Sequence, residues 1–253
     1  VIRLVCHRNY GVGSDGILLG PLDSQACYFR LRIINPDGTE AEKSGNGLRI
    51  FARSLWDERL VGDQPFSVET PDGVFSCQIN AVGKSVKVNM GEVSFHSTVI
   101  PVTGDAREVL HEELKIDDHV LTYSAATVGN LHWMVLSDHP TSEKAHRYGP
   151  LIKVDPRFPN RTNVQFMQVM DSSNIQIEIW GRGAGYTLAS GSSSAAAAAV
   201  ALKLGLCDPD KTVHRPGGSL NIQFSNGFCA TKTGPVTKVC DGVISQEMFK
   251  EDL

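Results

Sequence analysis

The 253-residue sequence contains no C-x-x-C pair, no excess of basic residues, no long unbroken apolar run, and no basic stretch leading into an apolar one at its start. Each absence closes off a class of protein. Six cysteines (Cys6, Cys27, Cys77, Cys207, Cys229 and Cys240) without C-x-x-C spacing write neither a zinc ribbon nor a thioredoxin-type redox centre. A chain of this length has no need of disulfide staples, so reduced, mostly buried thiols and a reducing, cytoplasmic setting are expected. The formal net charge of −4 leaves no positive footprint for tracking phosphates, which argues against a nucleic-acid partner. No run approaches the ~18 apolar residues of a membrane span, and no secretory signal opens the chain. Val1 stands where an initiator Met would, and the natural N-terminus is expected to lie further upstream.

What is present is an ordinary globular composition, 41% apolar and 21% charged, sufficient for one large domain or two of usual size. It also contains an internal repeat. Residues 30–80 read "RLRIINPDGTEAEKSGNGLRIFARSLWDERL" and then "FSVETPDGVFSCQI"; residues 176–225 read "QIEIWGRGAGYTLASGSSSAAAAAVALKLGL" and then "TVHRPGGSLNIQF". Each copy predicts an alternating strand, a glycine turn, a Ser-Gly step, a helix, and a hairpin at "PDG" or "PGG". Asn35 and Ser44 are nine positions apart, as are Gly181 and Ser190. An α/β (α+β) protein follows, with two pseudo-symmetric domains at 1–115 and 116–253, each a barrel-like sheet around one central helix, the second open to taking back a terminal strand from the other half. The Ala-rich helix from Ser190 has so little polar surface that it belongs inside its sheet. In the first helix Leu48, Phe51, Leu55 and, beyond them, Leu60 lie on or near one stripe. Between the copies, "HEELKIDDHV" reads as a polar surface connection, and "SEKAHRYGPLIKVDPRF" as a helix ended by Pro156.

The Ser-Gly step carries the first functional signal. A helix beginning at Ser-Gly-Asn-Gly or Ser-Gly-Ser-Ser offers unpaired N–H groups and the positive end of its dipole, with no bulky side chain in the way. A single such start is most simply an N-cap. Two starts related by duplication point instead to a ligand cleft at the domain interface, where a carboxylate would sit. Two equivalent side chains approaching one carbon from opposite faces are what stereochemical inversion needs, one removing a proton and the other returning one.

The ordered set "RNYGVGSDGILL", "INPDGTEAEKSGNGLRIFAR", "VNMGE", "VGNLHWMVL", "RTNVQFMQV", "GRGAGYTLASGSSSAAAA" and "PGGSLNIQF…TGPV" resembles the diaminopimelate epimerase family over nearly the whole chain. The family's first strand and Gly-Asn-Asp loop would precede Val1. The resemblance implies the two-domain diaminopimelate epimerase-like fold, a closing interdomain cleft, and an isomerase acting on a small amino acid in lysine biosynthesis. It further implies neither pyridoxal phosphate nor metal, no nucleic-acid or membrane partner, and compatibility with a homodimer. Catalysis in the family uses a thiolate and thiol pair; the first cysteine falls on Ser44 and the second on Ser190, with His132 close to the reacting centre. Gly45 and Asn46 at one helix start, and Gly191 and Ser192 at the other, would donate N–H groups to the α-carboxylate. Asn35, Asn130, Asn163 and Arg182 would recognise the far end of the substrate. On the residues alone Asn35 in "NPDG" is equally a turn residue, and His132 beside Trp133 equally a core histidine, whereas Arg182 suits a carboxylate.

Serine at both thiol positions changes the chemistry. A thiol has a reference pKa of about 8.5, within reach of a helix dipole, whereas a serine hydroxyl ionises many units higher and a helix terminus supplies only ~1 to 2 kcal/mol. Gly181 stands where the family has Glu, which puts diaminopimelate itself in doubt as substrate, and Ser192–Ser194 replace a glycine-containing loop. These departures together read as divergence of a paralogue rather than replacement of two catalytic groups. Alternatives of other classes are a non-catalytic amino-acid-binding module and a same-fold dehydratase or proton-shifting isomerase.

Overall fold

The computed structural model describes residues 1–41, 44–80, 82–116 and 118–249. The chain forms two compact units, the first of residues 1–88 and 235–253, the second of residues 89–234. No helix among the described residues is long and apolar enough to cross a membrane.

The first unit contains, in order, helix α1 (Ile2–Cys6), strands β1 (Ile17–Leu22), β2 (Phe29–Ile34) and β3 (Glu40–Ala41), helix α2 (Gly45–Asp57), and strands β4 (Phe66–Thr70), β5 (Gly73–Asn80) and β6 (Ser85–Glu92), the last running past its edge. The sheet order is β1-β2-β4-β5-β6, with β3 on β2. β2 and β4 are parallel and the other pairs antiparallel. Helix α2 lies between the two parallel strands in sequence and buries Leu48, Phe51, Ala52 and Leu55. The expected stripe is therefore present as far as Leu55, while Leu60 lies beyond the helix and is exposed.

The second unit repeats this order and extends it. Its elements are β7 (Glu112–Ile116), β8 (His119–Thr127), β9 (Leu131–Leu136), helix α3 (Ser142–Lys153), β10 (Asn163–Asp171), β11 (Asn174–Gly181), β12 (Gly185–Thr187), helix α4 (Gly191–Lys203), β13 (Asp210–Arg215), β14 (Gly218–Ser225) and β15 (Cys229–Pro235). Strand order β15-β14-β13-β11-β10-β9-β8-β7, with β12 on β11, places β10-β11-β13-β14 as the counterpart of β1-β2-β4-β5. The parallel β11 and β13 flank α4 in sequence as β2 and β4 flank α2. Ala195 to Ala201 are all fully buried in α4, which packs against β8 to β11, β13 and β14. Alanine gives the strongest helix propensity with the smallest side chain, so strands can close around the helix on every side.

On the second unit's other layer α3 packs on β10 to β12, over a cluster that includes Trp133, Phe158, Tyr148, Ile152 and Phe166. Gly149 lets the helix touch the sheet: a Cβ there would meet the Trp180 Cγ at 2.5 Å. Helix α3 tolerates Pro150 and ends at Lys153, three residues before the expected stop at Pro156. The stretch read as a polar connection is in fact the β7–β8 hairpin, in which Leu114 points inward and pairs with Leu121. An edge strand carries charges on its open side, which is why its composition resembles a loop. The domain division expected at 115/116 falls inside β7.

Candidate functional site

In the first unit Ser44 has extended backbone (φ −141°, ψ 111°), and its Oγ accepts from the Gly47 N–H at 3.0 Å, while the Leu48 N–H donates to its carbonyl. The N–H groups of Gly45 and Asn46 have no intrahelical acceptor by helix geometry. A groove of about 740 Å3 runs here, lined by Ser14, Leu18, Asn35, Ser44, Asn46 and Ile50 among others. Asn35 is both a turn residue and a groove residue: its carbonyl accepts from Gly38, its Nδ2 donates to the Thr39 Oγ1 at 3.0 Å, and it still lines the opening. The Asn46 Oδ1 is buried without a donor among the described residues. The first turn has an apolar neighbour, since a Cβ on Gly47 would meet the Leu18 Cδ2 at 2.9 Å.

In the second unit Ser190 caps α4 in the same way (φ −148°, ψ 125°), accepting from the Ser193 N–H at 3.2 Å. Ser194 donates its hydroxyl to the Ser190 carbonyl. The hydroxyls of Ser190 and Ser192 are 3.4 Å apart, and the Asn130 Nδ2 donates to the Ser192 Oγ at 3.0 Å. The Asn130 Oδ1 in turn meets the His132 Nε2 at 2.9 Å. His132 is fully buried, and burial pushes its pKa down to about 3, the facing Gln165 amide opposing and the Arg182 charge assisting, so the ring is neutral. Gln165, also fully buried, lies against Ser193 at 3.1 Å.

Of the remaining expected site residues, Asn163 spans two backbones, donating to the Leu131 carbonyl at 2.8 Å and accepting from the Arg182 N–H at 2.8 Å. It fixes the turn that carries the exposed Arg182. Gly181 sits under that turn, where a Cβ would lie 3.3 Å from the Gly185 carbonyl and 3.4 Å from the Ala184 Cβ. A larger residue therefore needs these neighbours to give by a few tenths of an ångström.

Two buried residues beside α4 escaped the sequence reading. Gln165 lies on an inward position of β10, and Lys232 on an inward position of β15 between Ala230 and Gly234. The Lys232 side chain fills the space beside Gly191, its Nζ 2.3 Å from where a Cβ would stand. The burial of β15 alternates with period two at Lys232, whereas β10 is buried on both faces around Gln165 and shows no such alternation. Among the described residues no group of three or more His, Cys, Asp or Glu is placed to hold a metal ion.

Each unit has a serine-capped helix start, and the strand–helix–strand unit present twice builds a duplicated, sheet-dominated α+β fold. Solved structures share it: a probable proline racemase from Agrobacterium radiobacter K84 aligns with a TM-score of 0.68 at 15% identity, over 99% of this chain and 82% of its own. A PhzF-family phenazine biosynthesis protein from Bacillus anthracis aligns at TM-score 0.57 and 15% identity, over 88% and 81%. At that identity the likeness concerns fold alone.

Sequence comparison is more specific. The family described as diaminopimelate epimerase matches residues 1–96 and 124–239. "Diaminopimelate epimerase 2" of Nostoc sp. strain PCC 7120 is 58% identical over 248 residues, spanning 98% of this chain and 87% of the relative. The diaminopimelate epimerase of Desulfitobacterium hafniense is 36% identical, spanning 97% and 87%. The chain belongs to the diaminopimelate epimerase family, and is an isomerase of the cofactor-independent epimerase and racemase group.

Proposed function

We propose that the chain inverts the α-carbon of diaminopimelate in the cytoplasm, with Ser44 and Ser190 as the proton-transfer groups. The observation that carries this reading is the equivalence of the two helix starts. Each has an N-cap serine whose hydroxyl is fixed by the third N–H of its helix, leaving the first two free for a carboxylate. The names of relatives at 58% and 36% identity support diaminopimelate as substrate despite Gly181. Asn35 and Asn46 line the groove beside Ser44 and are proposed to hold the substrate's polar groups there. In the second unit Arg182 is proposed to take the distal carboxylate, with Asn163 bracing its backbone. His132 is proposed as a positioning group rather than a base, because burial makes the ring a weak base and shuts it off from solvent.

The chemistry is asymmetric in difficulty. A serine hydroxyl is a weak base toward an α-hydrogen but an adequate acid toward the carbanion that forms when that hydrogen leaves. A non-catalytic binder is the second reading, and its specific support is the absence of a thiol at either helix start. Proton NMR in heavy water with LL- and meso-diaminopimelate decides between them. Loss of the α-proton signal is expected, faster in a Ser44→Cys/Ser190→Cys variant, which regains groups able to ionise near neutral pH. Silence in both proteins sinks the epimerase reading and leaves the binder.

A further inference from the structure

The three consecutive serines that open α4 form one end of a hydrogen-bonded chain, and the direction of that chain follows from its buried end. With Asn130 as placed, its Oδ1 is an acceptor only, and a His132 Nε2 donating to it at 2.9 Å carries the ring proton. The Asn130 Nδ2 is a donor only, so the Ser192 Oγ at 3.0 Å accepts. With its oxygen accepting from Asn130, Ser192 has its own hydroxyl proton left to give, and the Ser190 Oγ lies 3.4 Å away. On the ring's other side the His132 Nδ1 and the Gln165 Oε1 are both buried without a partner. Turning the Gln165 amide about its axis satisfies both, its NH2 facing Nδ1 and its oxygen accepting from the Ser193 hydroxyl. Every bond on both sides of the ring is then consistent with a proton on Nε2.

We propose that Ser192, aimed by Asn130 and His132, is a positioning residue that sets Ser190 as the proton donor on its face of the substrate. The Ser190 oxygen accepts from the Ser193 N–H, and in this arrangement the Ser192 O–H is the second donor aimed at it. Its own hydrogen is thereby turned away from both, free for the substrate carbon. In the step this serves, the Ser190 O–H bond breaks as the new Cα–H bond forms, and the electron pair stays on Oγ under the two donors. That oxygen is reprotonated from solvent, which receives the proton removed at the opposite face. A glycine at 192 would leave the oxygen with one donor, so the serine run has a task that capping alone does not require.

This inference rests on the epimerase reading for its kinetics and on NMR for its geometry. With diaminopimelate as substrate, Ser192→Ala is expected to lower kcat by roughly 10- to 100-fold and to leave KM within about threefold. Ser192→Thr, which keeps the hydroxyl, should recover most of the loss. Asn130→Asp should reproduce the Ser192→Ala effect, because a carboxylate accepts from Ser192 and draws its proton away from Ser190. A raised KM with kcat intact in Ser192→Ala makes Ser192 a substrate contact and overturns the proposal, as does wild-type kinetics. Independently of turnover, 15N NMR of histidine-labelled protein should show His132 protonated on Nε2 at neutral pH. A proton on Nδ1 reverses the chain and overturns the proposal even in an active enzyme. A protein that exchanges no substrate but shows the Nε2 tautomer fails the functional reading alone.

Discussion

His132 illustrates what a single residue's surroundings decide. As a letter in "NLHWMV" it is equally a base or a core side chain; 0% exposure and a pKa near 3 make it a neutral hydrogen-bonding group. The consequence for stability has a definite sign. The unfolded chain binds a proton at this residue below its ordinary value of 6.5, and the folded chain does not until about 3, so stability falls as pH drops through that window. The full effect is on the order of 5 kcal/mol at ~1.36 kcal/mol per unit, with a little under half of it reached near pH 5. Urea unfolding at pH 7 and pH 5 should show a smaller loss of midpoint in His132→Gln than in the parent, although the variant starts lower. An equal loss in both would mean that the acid sensitivity belongs to other groups. At this scale Ser44, Ser190 and their glycines were legible because capping chemistry is local. Gln165 and Lys232 were not, because a polar residue on a strand declares its direction only once its partners are known.

Among the elements, α4 and α3 show two ways of packing a helix on a sheet. Helix α4 uses alanine along its length, and its buried location was readable from composition alone. Helix α3 relies on one glycine against one tryptophan, and nothing in "HRYGPL" announces Trp180, thirty residues away in sequence. Two effects compete in Gly149→Ala. Helix propensity favours alanine by about 1 kcal/mol, whereas a Cβ placed 2.5 Å from a buried ring carbon forces a shift that costs about 1 to 3 kcal/mol. Net destabilisation is expected in a chemical melt, and it should shrink or reverse when Trp180 is also replaced by Leu. A stabilised single variant would show that the contact is easily relieved. The β7–β8 hairpin was missed for a different reason: with Glu112, Glu113 and Lys115 around one inward Leu114, its alternation is too short to stand out from a loop.

For the whole molecule, duplication was the most legible property, since equal spacings from Asn35 to Ser44 and from Gly181 to Ser190 reappear as equal strand orders in the two units. The compact units divide at 88/89 and 234/235 rather than at 115/116, so the last segment, from Pro235, groups with the first unit. Duplication has also not kept the two helix starts alike. Leu18 lies beside the first turn of α2, while the tip of Lys232 lies beside that of α4. Cysteines introduced singly at 44 and 190 would share a helix dipole but differ in the neighbouring charge, and a lysine nearby favours the thiolate. Iodoacetamide near neutral pH should therefore alkylate Ser190→Cys faster than Ser44→Cys, followed by mass spectrometry, with the advantage lost in a Lys232→Met background. Equal rates would mean that the lysine does not reach the thiol. If the difference holds, a molecule built by copying one half onto another is chemically addressable at one end only, and a probe attached there would report on that half by itself.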